Sequence, residues 1–360
     1  MPLSLKSTHR IFYKSSTRMG EIPDDSVHLV VTSPPYPMIE MWDQIFIDQN
    51  PKIAKAMEEG DGPQAFSLMH DILHEVWTEL YRVVVPGGIV CINIGDATRS
   101  LQSQFYLFPS HAEIISRMHQ LGFQSLPEII WRKETNSPTK FMGSGMLPSN
   151  AYVTLEHEYI LIFRKGAGRN FSKEEEKERR RASAYFWEER NSWFSDIWTF
   201  KGEQQSLQSH SSISDSNSFP NRTRSGAFPF ELAFRLISMF SIYGDVILDP
   251  FMGTGTTSAA AMFMGRSSFG FEMDNSFQQI ISQKVEEILC AAPKLLQTRI
   301  NAHRLFIERR IQQSKVPKYT NDILQVPVIT KQERFMSFPQ LIKINSTGTG
   351  KYEGEYTPFK

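Results

Sequence analysis

The sequence predicts a three-layer α/β fold with a mostly parallel central sheet, and three observations predict it. Segments of strand character alternate with segments of helical spacing along most of the 360 residues. An apolar run at 27–31 ends abruptly in Thr32-Ser33-Pro34-Pro35-Tyr36. A second run at 246–248 opens into Asp249-Pro250-Phe251-Met252-Gly253-Thr254-Gly255-Thr256-Thr257, a strand, a glycine-rich turn and a helix start.

Taken in order, residues 10–13 read as a short strand, 19–25 as a helix or turn, and 27–32 as a buried strand. Residues 42–81 have helical spacing, interrupted around Gly60-Asp61-Gly62-Pro63. Leu68, Ile72, Leu73, Val76, Leu80 and Val83 form one apolar face. Pro86-Gly87-Gly88 breaks that helix, and 89–94 follows as a strand. Residues 109–121 read as a helix, and 129–131 and 159–164 as strands. The character then changes. Residues 173–181 are nearly all charged, and 204–218 are so rich in serine and glutamine that a mobile loop is expected. Helical spacing returns at 228–242, and another helix is expected from 275 to about 289. Beyond 291 the basic residues are scattered, and the Gly/Lys/Tyr-rich end is expected to be poorly ordered.

Composition sets bounds on function. Hydrophobic content of 40% and charged content of 22% describe an ordinary globular protein. Lys+Arg and Asp+Glu are both 39, so nucleic-acid binding would need a local basic groove rather than a basic surface. Two cysteines, Cys91 and Cys290, exclude a disulfide scaffold; neither follows a proline in a turn, and both are expected in the core. No run reaches the length of a membrane span and the N-terminus lacks a signal-peptide core, so a cytoplasmic location is expected.

The two turns carry the chemistry. Prolines fix φ and remove backbone donors, so the carbonyl oxygens at 33–35 are free of competing N–H groups, with the flat face of Tyr36 beside them. That suits a planar ring bearing an amino group. Out of context Ser-Pro-Pro is as often a linker, but here a β-branched strand precedes it and Trp42 and Phe46 follow. In the second turn, Gly253 and Gly255 permit tight geometry and the helix start favours an anionic group. Alone, such a turn is equally a structural corner. Phe269-Gly270-Phe271-Glu272 adds an acidic residue at the end of the next strand, where nucleotide-type sites bind ribose hydroxyls. No lysine follows the glycines, which excludes a Walker phosphate loop.

In this order, the two motifs resemble the β-group of amino-methylating DNA methyltransferases, which use S-adenosylmethionine. The likeness extends from about residue 10 to 289. It includes Tyr81-Arg82-Val83-Val84-Val85-Pro86-Gly87-Gly88, Ile130-Trp131-Arg132-Lys133, and Phe228-Pro229 with Glu231-Leu232. The resemblance implies a Rossmann-like methyltransferase fold with circularly permuted motif order and an inserted DNA-recognition region. It divides the chain into a catalytic half (1–164), a target-recognition region with a mobile loop (165–225), a cofactor-binding half (226–290) and an extension of unassigned role (291–360). It also implies roles. Ser33 and the Pro34 carbonyl would accept hydrogen bonds from the target amine within the Ser33-Pro34-Pro35-Tyr36 turn, and Tyr36 would stack on the base. Thr32, Asp249, Pro250, Phe251, Gly253, Thr254, Gly255, Thr256, Glu272, Phe228 and Pro229 would surround the cofactor. The family's N-terminal Asp, which touches the adenine, is replaced here by Ser15 or Ser16. Lys165, Arg169, Arg179, Arg180, Arg222 and Arg224, interleaved with Tyr185, Phe186, Trp187 and Trp193, would contact DNA. Glu174-Glu175-Glu176 face the same cluster, so internal ion pairing is the competing explanation.

In the family, Ser-Pro-Pro-Tyr accompanies cytosine N4 and Asp- or Asn-Pro-Pro-Tyr accompanies adenine N6, so cytosine N4 in double-stranded DNA is the expected target. Adenine N6, an RNA or protein amine, and a non-catalytic DNA-binding module are the alternatives. A companion restriction endonuclease acting on the same site is an implied partner.

Overall fold

The computed structural model describes residues 5–102, 104–133, 142–201 and 228–359. Strand β1 (Lys6–Phe12) buries alternate residues, whereas β2 (Val27–Thr32) is apolar on both faces, as an interior parallel strand must be. Residues 19–25 between them form turns. Three helices follow: α1 (Asp43–Gln49), α2 (Lys52–Glu58) and α3 (Gly62–Val83). The predicted break at Gly60 is present, and Asp61 caps α3 by accepting from the Gln64 amide at 3.0 Å. A further break falls at Asn50, which Pro51 holds in the extended region. Strand β3 (Val84–Ile94) starts ahead of Pro86-Gly87-Gly88, which is absorbed as an irregularity in its pairing with β2.

A hairpin, β4 (Ala97–Leu101) and β5 (Gln104–Phe108), leads to α4 (Ser110–Gln120) and β6 (Phe123–Arg132). A short hairpin, β7 (Met142–Gly143) and β8 (Ala151–Tyr152), precedes β9 (His157–Lys165). Next come α5 (Glu174–Ala182), α6 (Trp187–Trp193), β10 (Ile197–Thr199), α7 (Phe230–Phe240), β11 (Val246–Asp249), α8 (Thr256–Phe263) and β12 (Ser267–Phe271). The chain closes with α9 (Phe277–Gln312), the small pair β13 (Tyr319–Thr320) and β14 (Pro327–Val328), and the hairpin β15 (Pro339–Gly348) and β16 (Lys351–Pro358).

The ten-stranded sheet has the order β10-β6-β9-β3-β2-β11-β12-β1-β16-β15, and only β9 and β16 run against the rest. From β2 the chain crosses through α1–α3 to β3 on one side. From β11 it crosses through α8 to β12 on the other. The strand order therefore reverses between β2 and β11, where open α/β sheets form a crevice at their carboxyl edge. Both turns singled out in the sequence leave the sheet at this reversal.

The C-terminal expectation is overturned. Helix α9 does not stop near residue 289 but continues through Pro293 to Gln312, because Val285, Ile288, Ala292, Leu296, Ile300 and Ile307 keep one buried face. Pro293 lies on the exposed side, where its missing donor costs little. The Gly/Lys/Tyr end is ordered as β15–β16, and Tyr352 and Tyr356 alternate inward against the core. Cys91 is buried in β3, whereas Cys290 is exposed on α9 rather than in the core; both are free thiols. The loop expected at 204–218, with Arg222 and Arg224, lies outside the described residues.

Candidate active site

The two turns meet through one carboxylate. Asp249, at the end of β11, accepts from Thr32 Oγ1 at 2.7 Å through one oxygen and from Thr257 Oγ1 at 2.7 Å through the other. The Phe251 amide donates to it at 3.1 Å. Thr257 also reaches the Val31 carbonyl at 3.2 Å, so the first turn of α8 is fixed to β2 as well as to β11. Asp249 is fully enclosed, and burial raises its carboxyl to about 6 in spite of these donors.

A cavity of ≈ 290 Å³ opens beside this junction. Ser33 and Pro35 from one turn share its wall with Pro250, Phe251 and Gly253 from the other. Ser15 and Ser16, which follow β1, and Glu272, which follows β12, complete the polar side, while Trp42, Phe46 and Ile72 supply apolar surface. The Glu272 carboxylate accepts from the Gly253 amide at 2.8 Å and from the Asp274 amide at 2.8 Å, so it is held at the end of its strand beside the glycine turn. Gly253 at φ +53° and Gly255 at φ +85° occupy backbone conformations that side chains disfavour. At Gly253 a Cβ would meet nothing within 4 Å, so the backbone angle is what requires glycine there.

Of the residues expected around a cofactor, Ser15, Ser16, Pro250, Phe251, Gly253 and Glu272 line this cavity, as do Ser33 and Pro35. Thr32 and Asp249 are spent on each other, and Thr254, Gly255 and Thr256 belong to the buried junction with α8. Phe228 is buried in the core and Pro229 begins α7, neither on the cavity wall.

Tyr36 is not on the cavity wall and its hydroxyl meets the neighbouring strands β3 and β9. Its hydroxyl donates to Glu158 Oε2 at 3.0 Å, accepts from Asn93 Nδ2 at 2.9 Å and lies 3.2 Å from Ser33 Oγ. Asn93 also donates to Glu158 at 2.6 Å, and Lys133 forms an ion pair with the other Glu158 oxygen. Burial, followed by the Glu158 charge, pushes the Tyr36 phenol well above its ordinary value. Gly95 lets the ring approach: a Cβ there would lie 3.1 Å from Tyr36 Cε2 and 3.3 Å from Glu158 Cγ. Asn93 and Glu158 were not singled out from the sequence, and Lys133 only as part of a family string. The signal was positional, since the end of β3, the end of β6 and the start of β9 share the edge reached by the proline turn.

Four of the basic residues expected to contact DNA, Lys165, Arg169, Arg179 and Arg180, sit elsewhere. Lys165 bonds Asp25 and the Val84 carbonyl, and Arg169 forms a two-point pair with Asp245, just ahead of β11. Arg179 pairs with Glu175 beside Gly244, and Arg180 lies over Phe171. All four therefore lie near the amino ends of the parallel strands, opposite the cavity. The interleaved aromatics are corrected too. Phe186 stacks on His303 at 3.7 Å, Trp187 on Phe306 at 5.8 Å, and Trp193 packs edge-on against Phe234. They are absorbed by α9 and α7, which the sequence reading had not placed beside them.

Comparison with known proteins agrees with this architecture. A family model described as DNA methylase (N6_N4_Mtase) matches residues 27–283. The Type II methyltransferase M.MthZI of Methanothermobacter thermautotrophicus is 51% identical over 92% of this chain and 90% of its own length. M.MjaI of Methanocaldococcus jannaschii, also described as a Type II methyltransferase, is 49% identical over 79% of this chain and 93% of its own. Among solved structures, TTHA0409 of Thermus thermophilus in complex with S-adenosyl-L-methionine superposes with a TM-score of 0.57. It is 32% identical and covers 78% of this chain and 95% of that one. PvuII DNA methyltransferase (cytosine-N4-specific) shares the fold, with a TM-score of 0.52 at 15% identity over 81% of this chain and 94% of its own.

Proposed function

The chain belongs to the N6_N4 DNA methylase family, and from that footing we propose that it methylates the exocyclic N4 amine of a cytosine at a specific site in duplex DNA. The single observation that carries this reading is the Thr32–Asp249 hydrogen bond, which joins the Ser33-Pro34-Pro35-Tyr36 turn to the glycine turn at one cavity wall. The cofactor is S-adenosylmethionine, whose sulfonium methyl is the group supplied. The cavity suits its adenosine portion: the Glu272 carboxylate is placed for ribose hydroxyls, Ser15 and Ser16 offer hydroxyls to a heterocycle, and Phe251, Trp42 and Ile72 give it apolar surface.

An exocyclic amine conjugated to its ring is a weak nucleophile. Ser33 Oγ and the Pro34 carbonyl accept its hydrogens, favour a pyramidal nitrogen and stabilise the positive charge that develops there. Holding the amine in line with the methyl supplies much of the remaining rate. No protein nucleophile is required, and Cys91, whose thiol burial pushes well up, is enclosed in β3. A base inside a duplex cannot reach this edge, so the target is flipped out of the helix. DNA approaches the carboxyl edge, where β10 ends at Thr199 and α7 begins at Phe230. Target recognition is assigned to the segment between these points together with the β7–β8 hairpin.

The Ser33 turn supports cytosine over adenine through the family's pairing of turn and base. A companion endonuclease of the same site and a cytoplasmic location complete the reading. No helix among the described residues is long and apolar enough to cross a membrane. Nucleoside analysis of DNA from an expressing host tests the base: N4-methylcytosine is expected, and N6-methyladenine alone would replace cytosine by adenine.

A further inference from the structure

We propose that Glu158 is a positioning residue that fixes the polarity of the Ser33 hydroxyl, keeping its lone pairs turned to the target amine. The inference rests on the proposed amino-methyl transfer and names a residue that acts on the catalytic turn from a different strand.

The argument is one of donor and acceptor accounting. A hydroxyl can donate or accept, and Ser33 serves an amine only as an acceptor, so its own hydrogen has to be held elsewhere. The Glu158 carboxylate, paired with Lys133, has lone pairs only. At 3.0 Å from Glu158 Oε2, the Tyr36 hydroxyl must therefore donate to it. Asn93 Nδ2, 2.6 Å from the same carboxylate oxygen and 2.9 Å from the Tyr36 oxygen, is a donor to both. The Tyr36 hydrogen is thus committed, and in the 3.2 Å contact between Ser33 and Tyr36 the serine must donate. The chain runs in one direction, from Ser33 through Tyr36 to Glu158.

Two features mark the cluster as built for a ligand rather than for stability. A half-buried ion pair contributes little net stability, because desolvation offsets most of the attraction. Asn93 is 3% exposed, and with both of its bonded contacts made through Nδ2, Oδ1 is buried without a partner among the described residues. A network closed on itself would not strand an acceptor. A substrate N–H at this edge would satisfy it.

The test is Glu158→Gln, which keeps the shape but offers Tyr36 an amide that can donate. Tyr36 is then free to turn its hydrogen on Ser33. The methyl-transfer kcat on DNA from a methylation-deficient host is expected to fall roughly ten- to hundredfold, less than the loss of a group that itself touches the reacting nitrogen. The KM for DNA, S-adenosylhomocysteine affinity by calorimetry and the melting temperature should stay near wild type. In a Tyr36→Phe background, which has already cut the chain, Glu158→Gln should add no further loss. Unchanged kcat in Glu158→Gln, or losses that multiply in the double variant, would overturn the inference. If Glu158→Gln does not fold, Tyr36→Phe decides alone, since it deletes only the hydroxyl and full kcat in it would be fatal. Wild-type protein inactive on all DNA would remove the proposed function and this inference together. Wild-type activity with full Glu158→Gln activity removes this inference only.

Discussion

The two oxygens of Asp249 accept from segments more than two hundred residues apart in the chain, and much of the site's geometry depends on that sharing. Thr32→Val keeps the shape and removes one bond to a buried carboxylate. The expected cost is about 1.5–3 kcal/mol in urea unfolding. Burial raises Asp249 from 3.8 to about 6, so the folded state binds more protons than the unfolded state between roughly pH 4 and pH 6. The stabilising contribution of this group is present below that window and is lost as pH rises through it. The stability difference between wild type and Asp249→Asn should therefore shrink by on the order of 2–3 kcal/mol from pH 3.5 to 6.5, which denaturation at a series of pH values checks. A constant difference would place the titration elsewhere. Both motif residues were legible in the sequence, yet their roles shifted. Thr32 and Asp249 join the turns instead of lining the cavity, because a strand end this deep leaves their side chains no solvent.

Elements with strong periodicity were legible and those defined by distant partners were not. The buried run of β2 and the apolar stripe of α3 declare themselves over a few turns of chain. Helix α9 was expected to end near residue 289 but runs on to Gln312, and Pro293 is tolerated within it because it faces outward. Lys351-Tyr352-Glu353-Gly354-Glu355-Tyr356 has the alternation of a half-buried strand, but its glycine and charges concealed it. This edge is held by the Tyr356 hydroxyl, which donates to the Met262 carbonyl at 2.6 Å and lies 2.8 Å from Ser7 Oγ. Tyr356→Phe should lower stability by about 1–3 kcal/mol while leaving methyl transfer unchanged. Calorimetric melting and a transfer assay separate those two quantities.

For the molecule as a whole, three basic residues of the cluster read in the sequence lie at one edge of the sheet and are paired there. The Ser33-Pro34-Pro35-Tyr36 turn leaves the carboxyl edge, whereas at the amino edge Lys165, Arg169 and Arg179 meet Asp25, Asp245 and Glu175. The sequence showed the basic cluster but not its address, since which edge a loop occupies is set by strand direction, and β9 is one of the two reversed strands. Arg180→Ala should accordingly leave DNA affinity and its salt dependence unchanged. Arg132→Ala, at the carboxyl edge, should weaken binding and reduce the salt slope by about 1. Fluorescence titrations at several salt concentrations distinguish the two. The most direct measurement is the rate of labelled methyl transfer from S-adenosylmethionine to unmodified duplex DNA by wild type and Ser33→Ala. Wild type should transfer, and Ser33→Ala should lose about 10²–10³ in kcat with cofactor binding intact. Equal rates would show that the two turns do not form one catalytic site.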